Sequence, residues 1–150
     1  MNLTQKETEL LKDLKSQEKL CIEKYSKGAA AACDCGLKDL FNYLGETEQS
    51  HLNMLNAISA GQVPTTGGGR AKPQITNSGC NCNEQQKKTD GYLCADALAL
   101  EKHASSLYDT SIFEFSAPEL RNVLNSIQKD EQEHGEMLYS YMSQNNIYSI

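Results

Sequence analysis

Apolar residues recur along this chain in steps of three and four, the repeat of one face of an α-helix. One stretch carries Leu37, Phe41, Leu44, Glu48, His51, Leu55 and Ile58. Another carries Leu120, Leu124, Ile127, Glu131, His134, Leu138 and Tyr141, with the same steps of 4, 3, 4, 3, 4 and 3. Two further seams run through Leu11, Leu14, Glu18, Cys21 and Tyr25 and through Cys94, Ala97, Glu101, Ala104 and Tyr108. The spacing predicts helices over 5–32, 36–60, 91–114 and 118–144. Thr4-Gln5-Lys6-Glu7 and Ser116-Ala117-Pro118-Glu119 match the capping box, and Thr89-Asp90-Gly91 reads as a cap for the third helix. Between the two pairs, residues 61–90 hold two of the three prolines and a glycine triplet with almost no apolar periodicity. That segment reads as a long irregular crossing.

The two halves repeat. Glu18 and Glu101, Tyr25 and Tyr108, Glu48 and Glu131, and His51 and His134 are each 83 residues apart. Leu37/Leu120, Lys38/Arg121, Asn42/Asn125, Gln49/Gln132, Met54/Met137 and Leu55/Leu138 share the offset. The expected architecture is all-α: one domain over 1–150, built as a hairpin over 5–60, a crossover loop over 61–90 and a second hairpin over 91–144. A helix of some 25 residues is roughly 37 Å long. The crossover is long enough to run that length and start the third helix parallel to the second.

Each seam carries a carboxylate where a plain bundle places leucine. Glu48-x-x-His51 and Glu131-x-x-His134 project both side chains from one helical face. Glu18 and Glu101 each precede the next motif's glutamate by 30 residues, so an intervening turn brings the pair to the same height. One Glu from each of two helices and Glu-x-x-His from each of the other two is the ligand set of ferritin-like di-iron and di-manganese four-helix bundles. Four buried carboxylates are costly without counter-charge. Two divalent cations bring +4 against −4, and mixed carboxylate and imidazole donors suit Fe or Mn, with Zn possible on purification. A single Glu or His at a seam position is ordinarily a tethered polar residue. Six, duplicated in register, point instead to a dinuclear site at Glu18, Glu48, His51, Glu101, Glu131 and His134. Tyr25 and Tyr108 stand two turns beyond their glutamates, placed either to bond a ligand carboxylate across the bundle or to serve as core tyrosines. His103 falls off the seams and reads as a surface histidine.

Composition narrows the rest. Leu, Ile, Val and Phe number 17, 7, 2 and 3 among 150 residues, and two valines argue against a sheet. The formal charge of −6 disfavours nucleic acid and a basic membrane surface. No run approaches a membrane span, and the first residues lack the apolar core of a signal peptide, so the chain is expected to be made and folded in a cytosol. No nucleophile–base pair, phosphate-binding loop or nucleotide motif stands out.

With these residues in view, the chain resembles the spore coat protein F family (Coat F domain), a ferritin-like family of endospore-forming bacteria. The resemblance runs through LKDLKSQEKLCIEKYSKGA, LKDLFNYLGETEQSHLNML and APELRNVLNSIQKDEQEHGEMLYSYM. Glu-x6-Tyr and Glu-x-x-His also resemble rubrerythrins and bacterioferritins, which implies metal ligation at the six residues named above. The chain lacks the Cys-x-x-Cys pair of a rubredoxin module and the fifth helix of storage ferritins. The resemblance implies a component of the endospore coat, made in the mother-cell cytoplasm and then laid on the spore, with itself and other coat proteins as partners. Two functions follow. One is a structural coat protein that self-assembles around a metal-stabilised bundle. The other is a dinuclear oxidoreductase that consumes peroxide or oxygen.

Six cysteines remain. Cys21 and Cys94 sit on seams and read as small buried residues. Cys33, Cys35, Cys80 and Cys82 form two Cys-x-Cys pairs in predicted loops, and six cysteines allow about 15 pairings. A zinc site from the four loop thiolates is one reading. The expected placement, with 33–35 at one end of the bundle and 80–82 on a wandering crossover, weighs against it. Disulfides between subunits are the expectation for at least one loop pair, formed once the coat meets oxidising surroundings.

Overall fold

A computed structural model describes residues 2–75 and 80–148. Residues 76–79 of the expected crossover lie outside the described residues. The described residues are helical and loop, with no strand: α1 (Gln5–Ala31), α2 (Cys35–Ser59), α3 (Glu84–Glu114) and α4 (Pro118–Gln144).

Local chemistry sets the ends. Thr4 caps α1 in a complete capping box: its hydroxyl accepts from Glu7 N at 3.1 Å, and the Glu7 carboxylate accepts from Thr4 N at 2.8 Å. Asp34 caps α2 by accepting from Leu37 N. That helix ends on Gly61, whose φ of 79° lets Gln62 N bond back to Ala57 O. The third helix begins at Glu84, seven residues before the predicted start at 91, because Asn83 and Gln86 form a second capping box. The loop between helices is correspondingly shorter than 61–90. Asp90, expected as a cap, is a buried helical residue. The capping box expected at Ser116 is also absent: the N-cap of α4 is Ala117, with no side-chain bond, and Pro118 occupies the first turn. Ser116 instead gives its N–H and hydroxyl to Glu7, tying the start of α1 to the α3–α4 turn.

The helices form a bundle in which α1 packs on α2 and α3, and α4 packs on α3 and α2. Two apolar clusters fix its directions. Leu11 and Leu14 of α1 meet Leu55 and Ile58 of α2, Tyr108 of α3 and Leu120–Ile127 of α4. At the other end, Cys21 and Tyr25 meet Leu37–Leu44, Cys94–Leu100 and Met137–Met142. So α2 and α3 run parallel to each other and antiparallel to α1 and α4. Fully burying each of these Leu, Ile and Phe side chains is worth about 1.5–3 kcal/mol. Those two apolar ends hold a polar layer between them.

The crossover starts at the Ile58 end and finishes at the Leu37 end, as its length allowed. Its residues 67–72 lie against α2 and α4, the adjacent pair in least direct contact. Arg70 pairs with Glu46 of α2, and Lys72 Nζ lies 2.7 Å from Glu133 of α4.

A candidate dinuclear metal centre

The polar layer contains the six residues singled out by the repeat. Glu18 comes from α1, Glu48 and His51 from α2, Glu101 from α3, and Glu131 and His134 from α4. None is more than 2% exposed. His51 Nδ1 lies 2.9 Å from Glu48 Oε2, 3.1 Å from Glu131 Oε1 and 3.8 Å from Glu18 Oε2. His134 Nδ1 lies 3.1 Å from Glu48 Oε1, 3.4 Å from Glu101 Oε1 and 3.9 Å from Glu131 Oε2. The imidazoles are stacked with centroids 5.8 Å apart.

The side chains fall into two groups, Glu18–Glu48–His51–Glu131 and Glu48–Glu101–Glu131–His134, with donor atoms in each within 4.8 Å of one another. Glu48 and Glu131 belong to both. Glu18 Oε2, Glu101 Oε2 and both Glu131 oxygens are buried and accept no well-directed hydrogen bond, although Glu131 Oε1 lies within ion-pair distance of His51 Nδ1. Such orphaned acceptors are expensive in a protein interior. They and the Nδ1 atoms face the same interior space, so the donor chemistry of each group fits a metal ion.

Charge within the layer is strongly perturbed. Burial pushes the Glu18 carboxyl up to about 7. Burial, reinforced by the Glu48 charge, holds Glu131 well above the ordinary range. Glu48 goes the other way: burial opposes ionisation, but the two imidazoles lower it overall. Burial alone favours neutral histidines. Bonds to Asp130, Glu131, Glu18 and Glu48 outweigh it at His51, and the Glu48 charge with the Glu101 bond raises His134 to about 10. Protons on Glu131 and on the two imidazoles thus offset negative charge within the layer.

The tyrosine hydroxyls reach carboxylates of the opposite half. Tyr25 donates to Glu101, and Tyr108 donates to Glu18. The interaction is reciprocal across the repeat. Burial raises both phenols, so they remain donors. Gly45 of α2 packs closely on Tyr25: a Cβ there would come within 3.3 Å of the tyrosine Cβ, a tight contact.

One participant was not legible as such. Asp130 Oδ2 lies 3.1 Å from His51 Nε2, the ring nitrogen facing away from the cluster. In the repeat, the equivalent position is Thr47, whose hydroxyl donates to Tyr43 O. The only sequence hint is that Asp130 immediately precedes Glu131. Asp130 and His51 line a cavity of about 460 Å³ between α2 and α4, roofed by Gly67–Gly69 and Arg70. His103 is exposed, as expected.

The loop cysteines differ from expectation in placement and pairing. Because α3 starts early, Cys80 and Cys82 come to rest against the α1–α2 turn and do not wander. Cys33 pairs with Cys82 and Cys35 with Cys80, each with Cα atoms 6.1 Å apart. Both bridges close within one chain and use the thiols that were expected to link subunits. Cys21 and Cys94 are free and buried.

Residues 89–150 match the family model of the Coat F domain. The matched segment holds Glu101, Glu131 and His134. No curated protein and no solved structure matches the chain.

Proposed function

We propose that this chain is a spore coat protein built as a ferritin-like four-helix bundle, two copies of one helical hairpin around a dinuclear metal centre. The observation that supports it best is the pair of overlapping donor groups sharing Glu48 and Glu131, with four buried carboxylate oxygens that accept no well-directed hydrogen bond. The Coat F match supplies the coat assignment and covers half of the ligand set. The offset of 83 residues extends that set to Glu18, Glu48 and His51. Glu18 and His51 would hold one cation, Glu101 and His134 the other, and Glu48 and Glu131 both. Fe or Mn bound there supplies Lewis-acid and one-electron redox chemistry. The protein's own part is to orient the donors: Tyr25 and Tyr108 fix Glu101 and Glu18, Asp130 fixes His51, and the apolar ends exclude water.

In this reading the protein is made in the mother cell and laid on the spore with other coat proteins and copies of itself. Its surface offers Tyr92 and Phe113 on α3, 71% and 84% exposed. Self-assembly rests on such contacts, since the loop cysteines are paired internally.

A second reading, an oxidoreductase consuming peroxide or oxygen, is favoured by the cavity of about 460 Å³ reaching His51 and Asp130. It gives a small molecule a route toward the centre, which a purely structural ion does not need. Metal analysis of purified chain, joined to a peroxide-consumption assay and repeated with Glu48→Ala, tests both. Two ions per chain lost in the variant support the centre, and peroxide turnover lost with them supports catalysis. A folded chain that takes up neither Fe nor Mn removes the centre from both.

A further inference from the structure

The second concentration of metal-binding side chains lies at the opposite end of α2 from Ile58. Cys33 and Cys35 flank Asp34 on one arm, and Cys80 and Cys82 flank Asn81 on the other, with two disulfides crossing between the arms. Residues two apart in a chain lie within about 7 Å of each other, so all four sulfurs occupy one patch. We propose that, once both disulfides are reduced, Cys33, Cys35, Cys80 and Cys82 form a tetrathiolate site for a thiophilic divalent cation of the zinc class. This goes beyond the proposed function and does not depend on it.

The first arm is tied to α3 and α4 by bonds other than the sulfur bridges, and the second is continuous with the start of α3. Asp90 of α3 accepts from Cys33 N at 2.8 Å and from Asp34 N at 2.9 Å. Tyr141 of α4 donates to Asp34 at 2.8 Å. The second arm runs straight into the Asn83–Gln86 capping box of α3. Reduction therefore frees the sulfurs while Asp90 and Tyr141 keep the first arm in place and the helix α3 keeps Cys82 beside it. Both arms also end at helix N-termini: Cys35 is the first residue of α2, and Cys82 directly precedes the Asn83 cap. The positive end of a helix favours thiolate over thiol. A cavity of about 320 Å³ lined by Cys80, Cys82, Lys87 and Asp90 gives an ion a path from solvent. Each arm has one residue between its cysteines, fewer than the two to four of common zinc knuckles. Anchoring of both arms takes over the positioning that a longer knuckle provides.

The chemistry balances through thiol–disulfide exchange. Two dithiol molecules reduce the two bridges, each giving up two electrons and two protons and becoming a cyclic disulfide. The four thiols then release four protons as one divalent cation binds. Two oxidising disulfide molecules reverse the sequence: each takes two electrons and, with two protons from water, leaves as two thiols, while the bridges re-form and the ion is expelled. The site is thus filled in a reducing compartment and closed covalently in an oxidising one.

The test uses the full chain, reduced with a phosphine under argon and titrated with Co²⁺. Thiolate-to-cobalt charge transfer absorbs in the near ultraviolet, and carboxylate and imidazole ligands do not produce it. The expected result is a thiolate band that saturates at one Co²⁺ per chain and is displaced by one Zn²⁺. It should be missing from the oxidised chain and lost in Cys33→Ser/Cys80→Ser. A reduced chain that keeps its helices by circular dichroism yet shows no thiolate band overturns the proposal. So does a band of equal strength in the double variant. If reduction alone melts the helices, recovery with one equivalent of Zn²⁺ supports the site, and failure to recover overturns it. A carboxylate–imidazole centre that takes no metal leaves this readout untouched.

Discussion

The carboxylate of Glu48 spans from α2 to α4: one oxygen lies 2.9 Å from His51 Nδ1, and the other lies 3.1 Å from His134 Nδ1. Glu48 is therefore the anionic partner of both raised imidazoles. Glu48→Ala leaves two buried cationic groups short of a counter-charge, the situation in which breaking a buried pair costs about 3–5 kcal/mol. Urea unfolding of the metal-free variant should show a loss of that order, and metal analysis should show the chain unable to retain two ions. A variant as stable as the parent would mean the imidazoles are neutral in the fold.

Asp130 fixes one imidazole only. Loss of a carboxylate behind a ligating histidine typically weakens metal binding about 10- to 100-fold. Asp130→Asn should weaken the ion beside His51 and leave the one beside His134 nearly unchanged, seen as two separated phases in a calorimetric titration. Equal weakening of both phases would show that Asp130 acts on the bundle as a whole.

Tyr25→Phe and Tyr108→Phe each strand a buried glutamate, Glu101 in the first and Glu18 in the second. A donor removed from a buried acceptor costs about 1–3 kcal/mol. The reciprocal arrangement predicts similar losses in the two variants, measured by chemical denaturation. A large cost in one and none in the other would break the equivalence of the halves.

The carboxylate of Glu7 serves both the Thr4 cap and Ser116. The Ser116 backbone N–H contributes most to holding its pKa below the ordinary 4.5. A depressed carboxylate stabilises the fold fully above its unfolded pKa and loses that contribution as pH falls through the folded value. Glu7→Gln should therefore be less stable than the parent at neutral pH, with the gap closing below about pH 4. Thermal melts of both proteins across that range provide the check.

The bridges Cys33–Cys82 and Cys35–Cys80 close segments with separations of 49 and 45 residues. Because the second bridge is nested inside the first, either alone keeps the long loop closed. The cost of about 2–4 kcal/mol therefore belongs to loss of both, in Cys33→Ser/Cys35→Ser/Cys80→Ser/Cys82→Ser, measured by urea unfolding. Oxidised protein should run as a monomer on non-reducing gels. A ladder of covalent multimers would restore the expectation of crosslinked subunits.

The gathering of the six side chains in one buried layer could be read from the sequence because helical geometry is local. A glutamate three residues before a histidine shares its helical face wherever the helix goes, and a repeat at constant offset carries that relation into the second hairpin. The start of α3 was harder, since Glu84–Asp90 is a polar run with no apolar stripe. The Asn83-x-x-Gln86 pattern was the available clue. Ser116 matched a cap motif, but Glu7, 109 residues away, offered it a better acceptor.

By itself, the sequence determined four amphipathic helices, their duplicated register and six ionisable groups on inward faces, all consequences of a 3.6-residue period. Only the tertiary structure decided that Glu48 and Glu131 are shared between two donor groups, that Asp130 backs one histidine alone, and that the cysteine pairs close on each other. Those relations join residues on different helices, and their distances depend on how the helices pack, which no spacing along the chain encodes.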